Sequence, residues 1–121
     1  MTTYLLTDAE TCTIALNLSS WQPRTQYSSV FSVSPNCLVT ATIALSGFGI
    51  NDQRATWTAR PAVEYQTADN SEWQGGDVSS INKMQNLTQV RFLLTGNTAN
   101  TGDLTSVTVT AVGTVYTFTP S

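Results

Sequence analysis

The acidic side chains of this chain are the first candidates for chemistry, because the sequence contains no histidine. Histidine is the commonest general base, and without it one chain cannot build a Ser-His-Asp or Cys-His nucleophile. Two paired acids could still cleave a glycosidic bond. The candidates are Glu64, Asp69, Glu72 and Asp77. Nothing around them marks a perturbed acid, so we expect no enzymatic activity.

Three of these acids lie in one polar stretch, residues 69–77. Asp69, Glu72 and Asp77 could bind calcium together with backbone carbonyls. Their spacing differs from that of an EF-hand loop, and solvated acids on a turn are the preferred interpretation. We therefore expect no cofactor; a structural calcium ion is the alternative left open.

The same stretch carries a tryptophan between polar residues, and two interpretations of it are open. The ring of Trp73 could stack on a sugar, with Asp69, Asn70 and Gln74 binding hydroxyl groups. The alternative, which we prefer, is that Trp73 closes one end of the core.

Arg91 stands alone among apolar residues in the run 87–95. A charge in such surroundings needs an opposite charge beside it. Glu64, on the preceding strand-like run, is the natural partner. We expect a structural ion pair between Glu64 and Arg91.

The elements that must position these residues are strands. Cys12, Ile14, Leu16 and Leu18 alternate with polar or small residues, which is the period of a half-buried strand. Similar runs recur with turn residues about every ten positions, and no convincing helix pattern is present. The sequence thus predicts an all-β, antiparallel β-sandwich of seven to nine strands. Residues 1–11 would form an N-terminal arm or edge strand, and residues 12–121 a single sandwich domain.

The sequence also predicts where several of the strands begin and end. Residues 27–33 should form a strand with Tyr27, Ser29, Phe31 and Val33 on one face. Residues 37–46 should form a strand that ends in a loop at 47–52. Pro61 should split residues 55–67 into two strands or mark one bulged edge strand. Residues 104–111 and 115–119 should be two further strands.

The surface is weakly charged. Eight acidic and five basic residues give a net charge of −3, and no two basic residues are adjacent, so we expect no nucleic-acid binding. No apolar run reaches the roughly 20 residues that a membrane-spanning helix needs, so we expect no membrane partner. Threonine and serine supply about a quarter of the chain, an excess over average usage. A neutral surface of this kind can pack against copies of itself with little charge to desolvate.

The order of motifs in residues 61–110 resembles a known family. Val63-Glu64-Tyr65-Gln66-Thr67 precedes Trp73, Val90-Arg91-Phe92 follows, and Ser106-Val107-Thr108-Val109 ends the series. This order is similar to that of galactose-binding-like, discoidin-type jelly rolls, which also occur in phage tail and other virion proteins. The resemblance implies a jelly roll with binding loops at one end, which in some members bind sugars or a structural calcium ion.

Resemblance and composition together suggest a function. Residues 1–6 lack the basic and apolar regions of a signal peptide, so we expect a protein made in a host cytoplasm and located in the virion. Cys12 and Cys37 should then be buried thiols rather than a disulfide. The expected role is a structural subunit, a head decoration or cement protein or a tail-associated protein, with copies of itself and other virion proteins as partners. The alternative is a carbohydrate-binding module that uses the Trp73 loop to attach to a cell-surface glycan.

Overall fold

The computed structural model describes residues 3–19, 23–50, 57–76, 81–98 and 106–121. These residues form eight strands and, in the described ranges, no helix. The strands are β1 (Tyr4–Ser19), β2 (Arg24–Tyr27), β3 (Phe31–Ser32), β4 (Leu38–Ile50), β5 (Trp57–Thr67), β6 (Asn70–Gly76), β7 (Leu87–Thr98) and β8 (Ser106–Pro120).

The strands build two antiparallel sheets. Sheet A has the order β1-β8-β4, and sheet B has the order β2-β7-β5-β6, with β3 also paired to β7. The segment 81–86 extends sheet A, because Met84 bridges Val39 and the Ala41 amide donates to the Ile81 carbonyl. If this segment is counted as a short strand, and β2 and β3 as one interrupted strand, the order is that of a jelly roll.

The core lies between the two sheets. Alternate residues of the long strands β1, β4, β5, β7 and β8 point inward, as the sequence pattern requires. The largest fully buried side chains are Phe92, Leu18, Ile81, Leu87, Leu94, Val39, Val63, Val90, Val107 and Val109. The predicted all-β sandwich is confirmed, including the strand count and the inward face of Ile14, Leu16 and Leu18.

The two ends of the chain pair with each other over their full length. β1 runs unbroken from Tyr4 and pairs with β8 from Tyr4–Pro120 to Ser19–Ser106, with one bulge at Thr7. The expected arm and the expected first strand are therefore one element at the edge of sheet A. Likewise, the two strands predicted at the end of the chain are the single strand β8.

Two predicted boundaries are wrong for local reasons. The loop expected to begin at Gly47 is instead a continuation of β4 to Ile50. The strand accommodates one extra residue in a bulge at Ser46 and then pairs with β8 again. The strand expected at 27–33 is broken after Tyr27. There the amide of Ser28 donates to the Phe92 carbonyl, and the Ser28 hydroxyl accepts from the Phe92 amide.

That break puts Tyr27 and Phe31 on opposite faces of sheet B. Phe31 packs on the core with its ring centroid 5.9 Å from that of Phe92, whereas Tyr27 is 45% exposed. Pro61 does not break β5, which pairs with β7 throughout but with β6 only from Val63 onward. Among the described residues, Pro61 is paired with β7 alone, and a missing amide is tolerated where a strand has one neighbour.

Gly113 of β8 offers a test of how closely the two sheets pack. A Cβ atom added there would lie 2.8 Å from the Phe92 ring, whereas one added to Gly49 of β4 would meet nothing within 4 Å. We expect Gly113→Ala to lower the free energy of unfolding by about 1–3 kcal/mol through overpacking. Gly49→Ala should be neutral or slightly stabilising, because it restricts only the unfolded chain. Urea denaturation measures both.

A double variant shows whether the clash is with Phe92. In a Phe92→Leu background, Gly113→Ala should cost less than it does alone, since the smaller side chain leaves room. An equal cost in both backgrounds would rule out the Phe92 contact as the cause.

Candidate functional site

The Glu64–Arg91 pair lies on the outer face of sheet B. The two residues are direct cross-strand partners on β5 and β7. Arg91 Nε donates to Glu64 Oε1 at 2.7 Å, and an Arg91 terminal nitrogen lies 2.6 Å from the same oxygen. Both side chains are about one-fifth exposed, at 23% and 21%. The ion pair is thus partly shielded, with charge-assisted hydrogen bonds in place.

Two aromatic rings enclose the Arg91 guanidinium. Its Cζ lies 4.3 Å from the ring centroid of Tyr27 on β2 and 4.1 Å from that of Trp73 on β6. Both distances are well within cation–π range. We call Tyr27, Glu64, Trp73 and Arg91 the Arg91 stack; it joins all four strands of the β2-β7-β5-β6 order.

Strand register explains why the stack forms. Tyr27 pairs with Leu93, two residues from Arg91, so the tyrosine ring reaches the arginine diagonally. On β6, the cross-strand partner of Glu64 is Gly75, which has no side chain that could crowd the carboxylate. Trp73, two residues along the same face of β6, leans over Arg91.

The Arg91 stack is chemically self-contained. The carboxylate of Glu64 receives the arginine, and the guanidinium covers one face of each ring. Neither an acid nor a base is left poised for proton transfer. The arrangement instead provides a rigid surface patch rich in Trp, Tyr and Arg, the residue types that dominate binding hot spots.

The predicted sugar-binding residues do not meet at one site. Asp69 accepts a hydrogen bond from the Asn86 side chain at 2.8 Å, and Asn70 accepts one from the Glu72 amide at 2.9 Å. Gln74 pairs with Tyr65, which packs on the core, so it lies on the opposite face of β6 from Trp73. The four residues 69, 70, 73 and 74 therefore have four different environments.

The setting predicted for Trp73 is wrong in two respects. Residues 70–76 form strand β6 rather than a loop, because they complete a hairpin with β5. Trp73 does not close an end of the sandwich, since its ring lies over Arg91 on the outer face of sheet B.

The calcium prediction can be followed only in part. Asp77 lies outside the described residues, and Asp69 is engaged with Asn86. In the part of the chain that the structure describes, no three His, Cys, Asp or Glu side chains come together in a way that could hold a metal ion.

Both cysteines are free thiols, Cys37 buried and Cys12 partly buried. Burial raises the pKa of the Cys12 thiol above its ordinary value, against smaller opposing effects of hydrogen bonds with Gly113 and Ser28. A raised pKa keeps the thiolate scarce, so Cys12 is a poor nucleophile.

A second surface, the outer face of sheet A, has a different character. Its outward positions on the three strands carry no charged residue among those described. We call this surface the neutral face; it comprises Leu6, Ala9, Thr11, Thr13, Ala15 and Asn17 of β1, Thr108, Thr110, Val112, Thr114, Tyr116 and Phe118 of β8, and Leu38, Thr40, Thr42, Ala44, Ser46, Gly47 and Gly49 of β4. Across its middle, Thr11, Thr114 and Thr42 form one row over all three strands.

The composition predicts a neutral surface but does not show where it lies. The available signal was the Thr-x-Thr pattern at 11–13, 40–42 and 108–110, which repeats on what prove to be three adjacent strands. The role of Tyr27 was missed entirely. No local pattern reveals that β2 lies beside β7.

Comparison with known proteins found no matching family model and no significant match among curated proteins or solved structures. Within the described residues, no helix has the length and apolar character needed to span a membrane.

The contribution of the ion pair can be measured with two matched variants. Glu64→Gln removes the carboxylate from Arg91 and should lower the free energy of unfolding by about 1 kcal/mol. Glu72→Gln makes the same change of charge at an exposed position in the same hairpin and should have little effect. Urea denaturation should show a difference between the variants that shrinks at high salt. Equal stability of the two would contradict a stabilising pair.

Proposed function

We propose that the protein is a non-enzymatic structural subunit that acts through protein–protein contacts in a phage-like virion, as a head decoration, cement or tail-associated protein. The observation that carries the proposal is the neutral face. This surface extends over three strands, and none of the described side chains that point outward on it is charged.

This surface can be buried by another protein at a lower desolvation cost than a surface that carries charges. Charged groups are depleted at the centres of protein interfaces, because taking a charge out of water is expensive. The neutral face has no such penalty over its central rows. Exposed apolar groups are present as well, with Leu6 54% and Val112 39% exposed.

The remaining chemistry favours a structural role over catalysis. Glu64, one of the candidate acids, is engaged by Arg91 at 2.6–2.7 Å. A groove of about 280 Å³ between β1 and β2 is lined by Ala15, Leu16, Asn17, Arg24, Thr25 and Gln26, a set without a carboxylate. A pair of catalytic acids would need a different arrangement.

The virion assignment rests on the resemblance described above, with a jelly-roll strand order that is compatible with it. Jelly rolls occur in viral capsid proteins and in lectins. Fold alone does not decide between such roles. The neutral face favours the first of them.

The proposal is tested by native mass and by copy number. We expect the purified protein to form a defined multimer, or to bind capsids or tails, and to be present in a fixed number of copies per particle. Native mass spectrometry and quantitative analysis of purified particles measure these quantities. A protein that stays monomeric, binds neither capsid nor tail and is missing from the particle would overturn the proposal.

Glycan binding is the second candidate function, and the Arg91 stack is the observation that favours it. Trp73 and Tyr27 carry aromatic rings on an outer sheet face, where sugar rings could stack on the surfaces that Arg91 leaves open. If this function holds, a glycan array should show binding that is lost in Trp73→Ala and Tyr27→Ala. It should persist in Trp57→Phe, since Trp57 stacks on Phe48 elsewhere. The absence of any glycan bound by the native protein would remove this candidate.

A further inference from the structure

We propose that the partner of the neutral face is the neutral face of a second copy of this chain, packed face to face about a two-fold axis. The inference rests on the proposed function, since it names the partner in one of the contacts through which the subunit acts. Four observations carry it: the distribution of charge, the size of the face, the state of its hydroxyl groups and its small side chains.

The distribution of charge leaves this face free for self-contact. The chain has a net charge of −3, so two copies repel each other wherever their acids meet. Every acid that the structure describes lies elsewhere. Asp8 and Glu10 are on the core-facing side of β1, Glu64 is on sheet B, and Asp69 and Glu72 are on the β5–β6 hairpin. One described charge borders the face: the Nζ atom of Lys83 lies 5.8 Å from the Phe118 ring at one end.

The size of the face meets the requirement for a specific dimer. Three strands spaced about 4.8 Å apart are roughly 14 Å wide, and six outward rows from Thr108 to Phe118 extend roughly 40 Å. Two copies would then bury roughly 1,100 Å², whereas a specific interface needs about 1,000 Å².

Some hydroxyl groups of the face are already satisfied within the sheet. Thr108 donates to the Asn17 side chain at 2.9 Å, and Thr110 donates to the Gly47 carbonyl while accepting from Ser46 at 3.0 Å. Burying such groups under a second copy leaves none of them without a partner, which removes the usual cost of covering a polar surface.

The hydroxyls of the central row are not satisfied in this way, and they give the contact its specificity. The hydroxyls of Thr11, Thr114 and Thr42 have no side-chain hydrogen bond to another described residue and lie side by side across the sheet. In a face-to-face dimer they can bond across the interface. They would thereby fix one register between the copies.

The side chains near the centre are short enough for close stacking. Val112 lies in the middle strand between Thr13 and Ala44, next to the threonine row. Sheets that stack in sandwiches approach to about 10 Å with side chains of this size. In an isologous contact the centre of one face meets the centre of the other, so Val112 lies near its own copy.

A charge at position 112 tests the proposal, because the two-fold axis brings it close to itself. We expect the native protein to be a dimer, and Val112→Lys to raise the dimer dissociation constant by roughly 100-fold. Thr58→Lys, an exposed threonine on the outer face of sheet B, should leave the constant unchanged. Analytical ultracentrifugation over a range of concentrations measures the constants, and thermal unfolding checks that both variants fold.

Cross-linking identifies the face directly. In dilute solution a short bis-maleimide should join Val112→Cys into a covalent dimer, whereas Thr58→Cys and the native protein, which contains only Cys12 and Cys37, should stay uncoupled. A native protein that is monomeric throughout, or a Val112→Lys variant that associates as the native chain does, would overturn the proposal. If the protein were still present in fixed copy number in particles, the structural role would survive on another surface.

Discussion

The contact between Phe92 and Gly113 joins the two sheets in the core and helps to set which residues of β7 and β8 face inward. Phe92 is fully buried on β7, and the missing side chain of Gly113 on β8 leaves the space that its ring fills. Because side chains alternate along a strand, an inward Phe92 requires an outward Arg91, and an inward Gly113 requires an outward Val112 and Thr114. A slip of one residue would exchange core and surface on either strand. The positions of the Arg91 stack and of the neutral face thus follow from the same alternation that places Phe92 and Gly113 in the core.

Sequence patterns predicted those features that depend on alternation within a strand. They gave the fold class, the buried face of β1 and the Glu64–Arg91 pair, for which a lone charge in an apolar run and one nearby acid were sufficient. They could not reveal the surroundings of Arg91. Tyr27 and Trp73 lie 64 and 18 positions from it along the chain, and they reach it only because β2 and β6 flank the central strands. Turn-like composition also misled at 70–76, where pairing with β5 outweighs weak local β-propensity.

The two outer faces have their polar groups satisfied in different ways. On sheet B a carboxylate and two rings hold one arginine, whereas on sheet A threonine and serine hydroxyls bond to neighbouring strands. In both cases the bonded side chains are held by contacts within the same chain before any partner arrives. Binding to such a surface loses less conformational entropy than binding to a surface of long, mobile side chains. Rigid, pre-ordered faces suit a subunit that must fit neighbours in one geometry.

The structural and glycan-binding hypotheses use opposite faces of the sandwich, so they are not exclusive. If two neutral faces pack together, the dimer has four sheet layers, with an Arg91 stack on each outer side. The two stacks are then related by the same two-fold axis and face away from each other. Such a dimer could join two separate surfaces but could not place both stacks on one flat surface. Avidity on a single surface would therefore require larger assemblies, in which several dimers present the same side together.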